Sequence, residues 1–111
     1  PDIDIVVELI GGTTVAYDLV MTALKNNKHV VTANKALIAE HGMEIFTVAA
    51  SKGLVVAYEA AVAGGIPIIK GLREGLSANQ VNWVAGIING TTNFILTEMD
   101  TKGRDFNDVL V

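Results

Sequence analysis

Apolar and polar positions fall in blocks along the chain, and the blocks predict strands alternating with helices. Ile3 to Ile10 is a run rich in isoleucine and valine, closed by Gly11-Gly12, the pattern of a strand in a parallel sheet. Beyond it Val15, Ala16, Leu19, Val20, Ala23 and Leu24 recur at helical spacing. Thr13 or Thr14 supplies the cap, Lys25 and Lys28 suit the far end of the helix dipole, and Asn26-Asn27 end the helix. A short strand, His29 to Thr32, comes next. Asn34 then caps a predicted helix from Lys35 to Glu40 that Gly42 terminates, and a separate helix from Glu44 to Lys52 stops at Gly53. Leu54 to Tyr58 reads as a third, buried strand. Pro67 opens a helix reaching about Leu76, because a proline in the first turn gives up no needed donor.

This alternation predicts a parallel sheet with helices on its faces. Ligands of such sheets sit outside the carboxyl ends of the strands. Three strands would deliver Gly11-Gly12, then Thr32-Ala33-Asn34-Lys35, then Glu59 to one edge, which is the candidate site. Near Asn79 the pattern changes. Val81 to Ile88 reads as a longer strand carrying Trp83, Gly90-Thr91-Thr92-Asn93 turns into a helix from Phe94 to Met99, and another helix begins at Asp105. Residues 1–78 therefore form one expected domain and residues 79–111 the start of a second.

Composition narrows the function classes. At 111 residues the chain is one domain's worth or part of a larger protein, and half of it is hydrophobic, enough to bury a core. Twelve acidic against eight scattered basic residues give a net charge of −4, so nucleic acid and anionic membranes are not expected partners. The absence of cysteine removes disulfides, thiolate zinc sites and cysteine nucleophiles together. His29 and His41 lack a partner at metal-ligand spacing. No apolar run approaches the ~18 residues of a membrane span and no signal peptide is visible, so a cytoplasmic setting is expected. Pro1 at the start, and Val111 inside an expected helix, suggest an internal piece of a longer chain.

Three stretches carry candidate chemistry. In Tyr58-Glu59-Ala60-Ala61-Val62-Ala63-Gly64-Gly65-Ile66-Pro67, a carboxylate at a strand end precedes small residues whose carbonyls can turn inward, a set suited to a hard cation. The same stretch also reads as an ordinary strand-to-helix turn with Glu59 capping the next helix. Lys35 is the one basic residue delivered to the candidate edge. It reads either as an ammonium contacting phosphate, ribose or a carbonyl, or as a solvated first-turn lysine. Gly90 to Asn93 offers hydroxyls and backbone donors at a helix start, for a carboxylate or phosphate or simply as a cap. Neither a Gly-x-Gly-x-x-Gly fingerprint nor a P-loop is present.

Taken together, Val31-Thr32-Ala33-Asn34-Lys35, then Tyr58 to Ile68, then Gly86-Ile87-Ile88-Asn89-Gly90-Thr91-Thr92-Asn93-Phe94-Ile95 resemble homoserine dehydrogenase in order and spacing over nearly the whole chain. The resemblance implies the C-terminal part of a Rossmann-like α/β domain, its parallel sheet flanked by helices on both faces, followed by the start of an α+β substrate and dimerisation domain. It implies NADPH- or NADH-dependent reduction of L-aspartate 4-semialdehyde to L-homoserine, in threonine, methionine and isoleucine synthesis. Gly11, Thr32, Ala33, Asn34, Lys35 and Gly90 would line the cofactor, with Lys35 catalytic near the aldehyde. Glu59, Gly90, Thr91, Thr92 and Asn93 would face the substrate. The Glu59 carboxylate and the carbonyls of Val62, Gly64 and Ile66 would hold Na⁺ or K⁺, and the protein would form a homodimer or higher homo-oligomer. The family's glycine-rich loop would lie upstream and its second lysine with nearby acids downstream, so these residues alone are expected to lack dehydrogenase activity. The alternative is a non-catalytic binding module that keeps the cation turn.

Overall fold

The computed structural model describes residues 2–110 and falls into two compact units that divide between Ser77 and Ala78. In the first, β1 (Ile5–Glu8), α1 (Thr14–Lys25), β2 (His29–Thr32), α2 (Lys35–Ser51) and β3 (Val56–Ala57) follow in order. The strands are parallel and lie in the sequence β1-β2-β3, with Val6 beside Val30 and Val30 beside Val56. The expected class, an α/β fold on a parallel sheet, is the observed one.

Alternation along the strands decides which side chains enter the core. Val30, Thr32 and Val56 are buried, whereas Ile5, Val7, Val31 and Val55 are exposed. Ala16, Val20, Ala23 and Leu24 of α1, spaced by three and four, pack with Leu37, Ile45 and Ala49 of α2 around Val30. Each fully buried Val, Leu or Ile contributes roughly 1.5–3 kcal/mol, so these few residues dominate the unit's stability. Polar contacts fasten the far ends of the two helices: Lys52 Nζ donates to the Lys25 carbonyl at 2.9 Å and to Asn27 Oδ1 at 3.0 Å.

The structure departs from the sequence reading in several places. Residues 35–51 form one helix of 17 residues, not two, and Gly42 sits inside it. Gly42 is buried, and a Cβ there would meet Phe46 Cε2 at 3.3 Å and Ile38 Cγ2 at 3.5 Å. Its missing side chain makes room for the Phe46 ring, so packing rather than termination explains the glycine. Strand β3 spans two residues instead of five: the Leu54 amide goes to the Ala49 carbonyl and the Val55 amide to His29 Nδ1, and a 3-10 turn at Glu59–Ala61 closes the other end. Thr13 occupies the N-cap position of α1, but its side chain makes no capping bond. After Pro67, α3 (Ile68–Lys70) continues as a π-helical turn, Gly71–Gly75.

In the second unit, residues 80–89 form neither helix nor strand, and Trp83, Ile87 and Ile88 are exposed. An apolar run becomes a strand only when a neighbour takes up its backbone groups, and this unit has no other strand among the described residues. Helix α4 (Gly90–Lys102) is longer than expected because Asn89 caps it, Oδ1 accepting from the Thr92 amide at 2.8 Å. Gly103, in the left-handed region, ends it, and α5 (Phe106–Val109) follows Asp105. Buried Glu98 pairs with Lys102 at 2.7 Å and Arg104 at 3.4 Å. The Lys102 ammonium leads in holding that carboxyl below its usual range, with Arg104 adding to it.

Gly42→Val should lower stability by about 1–3 kcal/mol, since the added methyls collide with Phe46 and the helix cannot shift without disturbing Leu37 and Ile45. Urea midpoints for the two proteins measure it, and an unchanged midpoint would restore Gly42 to a passive role.

Candidate functional site

Because the three strands are parallel, their carboxyl ends lie at one edge of the sheet. β1 ends in Glu8, a buried carboxylate 3 % exposed. Its Oε1 accepts the Ile10 amide at 2.8 Å and the Gly11 amide at 3.3 Å, and its Oε2 accepts the Thr32 hydroxyl at 2.7 Å. Thr32 Oγ1 in turn accepts the Asn34 amide at 3.0 Å. Asn34 closes the circuit: Nδ2 donates to the Gly12 carbonyl at 2.6 Å, while Oδ1 caps α2 by accepting the Leu37 amide at 3.1 Å. No buried side-chain polar atom among the described residues is left without a partner.

Burial pushes the Glu8 carboxyl up. The hydrogen bonds from Thr32, from the Ile10 and Gly11 amides and from Asn34 outweigh that, and hold it below its ordinary value of 4.5. The group is therefore an anion at neutral pH. Glu8 was not singled out from the sequence, although the signal was the one noticed at Glu59, a charge where an apolar strand ends.

Gly11 and Gly12 have φ of +81° and +71°, a turn that favours glycine, and a Cβ on either would meet nothing within 4 Å. The positive φ at both positions, rather than crowding, is what calls for glycine here. Since Glu8 already takes the Gly11 amide, the turn offers van der Waals surface and carbonyls rather than a phosphate cradle. Ala33 is half-buried between the strand end and the helix, and Lys35, exposed, begins α2 next to the fixed Asn34. Gly11, Thr32, Ala33, Asn34 and Lys35 are thus gathered at one edge.

Glu59 stands after β3, and both its oxygens accept amides at the start of α3, Ile69 on Oε1 and Lys70 on Oε2, each at 2.9 Å. The capping interaction weighed from the sequence is present. Ala63 and Gly64 follow with φ of +55° and +60°, and a left-handed alanine costs roughly 1–2 kcal/mol, more than an ordinary connection needs. The Ile66 carbonyl accepts the Ile68 amide at 2.8 Å. Among the described residues no donor reaches the Val62 or Gly64 carbonyls. Gly90, Thr91, Thr92 and Asn93 lie in the second unit, exposed in the first turn of α4.

A parallel sheet with a glycine turn, a capped helix start and a lysine at its carboxyl edge defines part of a Rossmann-like α/β domain. A family profile described as "Homoserine dehydrogenase, NAD binding domain" matches residues 1–59, and one described as "Homoserine dehydrogenase" matches residues 67–111. The chain belongs to the homoserine dehydrogenase family. It is 71% identical to homoserine dehydrogenase of Pseudomonas aeruginosa over 99% of this chain and 25% of that protein. A crystal structure of the Thiobacillus denitrificans enzyme matches with a TM-score of 0.93 at 67% identity, covering 98% of this chain and 25% of the other. A hyperthermophilic archaeal homoserine dehydrogenase in complex with NADPH matches at 0.83 and 30% identity, over 96% of this chain and 33% of the other. The chain thus spans about a quarter of the length of its bacterial relatives.

The low carboxyl pKa of Glu8 gives stability a defined pH dependence. Ionised in the fold below its ordinary value, Glu8 contributes fully above pH 4.5, and that contribution drains away as pH falls through the lower folded value. Glu8→Gln should cost about 1–3 kcal/mol at pH 7 and lose part of the wild-type acid-side slope below pH 4.5. Urea denaturation at pH 7 and pH 4 reads both effects; parallel losses in the two proteins would show that Glu8 is not the titrating group.

Proposed function

We propose that this chain supplies the cofactor edge of a homoserine dehydrogenase, which reduces L-aspartate 4-semialdehyde to L-homoserine with NADPH or NADH in threonine, methionine and isoleucine synthesis. The observation that carries the reading is the gathering of Gly11-Gly12 and Thr32 to Lys35 at the carboxyl edge of a parallel sheet, tied together through Glu8 and Asn34. The glycines at 11 and 12, where a Cβ would meet nothing within 4 Å, leave room for the nicotinamide end of the cofactor to approach the backbone.

The nicotinamide, when bound, supplies the hydride; the residues of this chain orient and polarise. Gly11, Thr32, Ala33 and Asn34 line the cofactor. Lys35 is the catalytic residue: its ammonium, a compact charge with three donors, stands against the aldehyde oxygen and stabilises the alkoxide as negative charge builds there. The fixed Asn34 preceding it limits how far the lysine backbone can wander, so less ordering is needed at the moment of reaction. Within the second unit, Gly90, Thr91, Thr92 and Asn93 offer donors at the start of α4 for a substrate carboxylate.

Glu59 with the carbonyls of Val62, Gly64 and Ile66 also binds Na⁺ or K⁺ in this reading. Two observations support it: the strained Ala63-Gly64 turn, and the two carbonyls that receive no donor among the described residues. Glu59 keeps lone pairs beyond the two spent on Ile69 and Lys70. The protein acts as a homodimer in the cytoplasm, and the exposed apolar stretch around Trp83, Ile87 and Ile88 suits a β-pairing partner.

The test is made in the full-length context, either the natural chain or this segment replacing the equivalent quarter of the Pseudomonas aeruginosa enzyme. Homoserine-dependent reduction of NADP⁺ or NAD⁺ is expected, with Lys35→Ala lowering kcat by roughly 10²–10³-fold while the fold persists. Absence of turnover with both cofactors would overturn the functional reading. Glu59→Gln should weaken the response of that activity to added Na⁺ or K⁺; an identical salt response would leave Glu59 as a helix cap only.

A further inference from the structure

Glu8, Thr32 and Asn34 do more than fill polar space. All three are buried, at 3 %, 1 % and 7 % exposure, and together they bond backbone in the turn after β1 and at the start of α2. Glu8 grips the turn after β1 through Ile10 and Gly11, Thr32 carries that grip to the end of β2, and Asn34 returns it to Gly12 while capping α2 at Leu37. A strand end does not need this. β2 and the approach to β3 are joined by one exposed side-chain bond, the Val55 amide to His29 Nδ1 at 2.9 Å, and by no buried one among the described residues; an apolar pair would be as stable where a charged network is wanted only for packing. What the network adds is fixed geometry between two backbone segments that share no other side-chain bond.

We propose that Glu8 is a positioning residue: through Thr32 and Asn34 it locks the Gly11-Gly12 turn and the first turn of α2 into one unit, so that the cofactor-facing turn and Lys35 hold a single mutual geometry. The kinetic part of this statement rests on the dehydrogenase reading; the mechanical part does not. The coupling predicts that damage at one end is felt at the other. Removing the Thr32 hydroxyl should loosen the Gly11 amide, although Thr32 does not touch Gly11.

Two measurements test it. The first is amide hydrogen exchange on the folded protein. In Thr32→Val, Gly11 should lose at least tenfold in protection while core amides such as those of Leu24 and Ile45 keep theirs, and Thr32→Ser, which keeps the hydroxyl, should restore Gly11. Unchanged protection of Gly11 in Thr32→Val would overturn the coupling, whether or not the protein is an enzyme. The second is kinetic, in the full-length context: Glu8→Gln should lower kcat/KM on the order of tenfold or more, since small displacements of reacting groups carry penalties of that size. The loss should also be non-additive with Lys35→Ala, the double variant falling no further in kcat than Lys35→Ala alone. Additive losses would reduce Glu8 to a structural residue. Loss of Gly11 protection in Thr32→Val together with a wild type that shows no turnover would sink the dehydrogenase reading and leave the positioning unit standing.

Discussion

A single buried carboxylate organises the carboxyl edge of the sheet, the candidate site. Glu8 gives up water at the end of β1, and a buried charge without partners would cost several kcal/mol. It is held by two amides and a hydroxyl instead. Those three bonds dictate where the chain goes next: the backbone must curl so that Ile10 and Gly11 point back at the carboxylate, and only residues tolerant of positive φ can follow that curl at positions 11 and 12. The glycine pair, the Thr32 hydroxyl and the Asn34 cap are then consequences of one constraint.

The apolar core and the polar edge divide the labour. Val20, Leu24, Val30, Leu37 and Ile45 hold α1 and α2 against the sheet by burial that is indifferent to fine orientation. The edge network is directional, and it fixes the ends of the strands to within hydrogen-bond tolerance. The hydride-transfer role proposed for this edge would need the second kind of order, because reacting atoms must be aligned closely. Glu59 plays a related part after β3, anchoring the start of α3 with both oxygens while the strained Ala63-Gly64 turn aims carbonyls elsewhere.

Much of this was legible from the residues. Periodicity placed α1 and β2 correctly, the Asn34 cap was read from its position ahead of a helix, and the alternation implied a parallel sheet whose carboxyl edge gathers the candidate site. Gly42 misled because glycine ends helices more often than it makes room inside them, and only the three-dimensional position of Phe46 distinguishes the two uses. Val81 to Ile88 misled because apolar composition specifies a readiness to pair, not the partner. Glu8 escaped notice inside a run read for its hydrophobicity. Asn89 did too, although an Asn three residues ahead of Thr92 is the usual signature of a cap.

The edge built on Glu8 is proposed as the place where a nicotinamide cofactor lies. A crystal structure of the full-length chain with NADPH tests it most directly. The account predicts the nicotinamide ribose across Gly11-Gly12, with the Lys35 ammonium facing the reactive end and the Glu8 network intact. A cofactor bound away from that edge, or one whose binding breaks the Glu8–Thr32 bond, would contradict it.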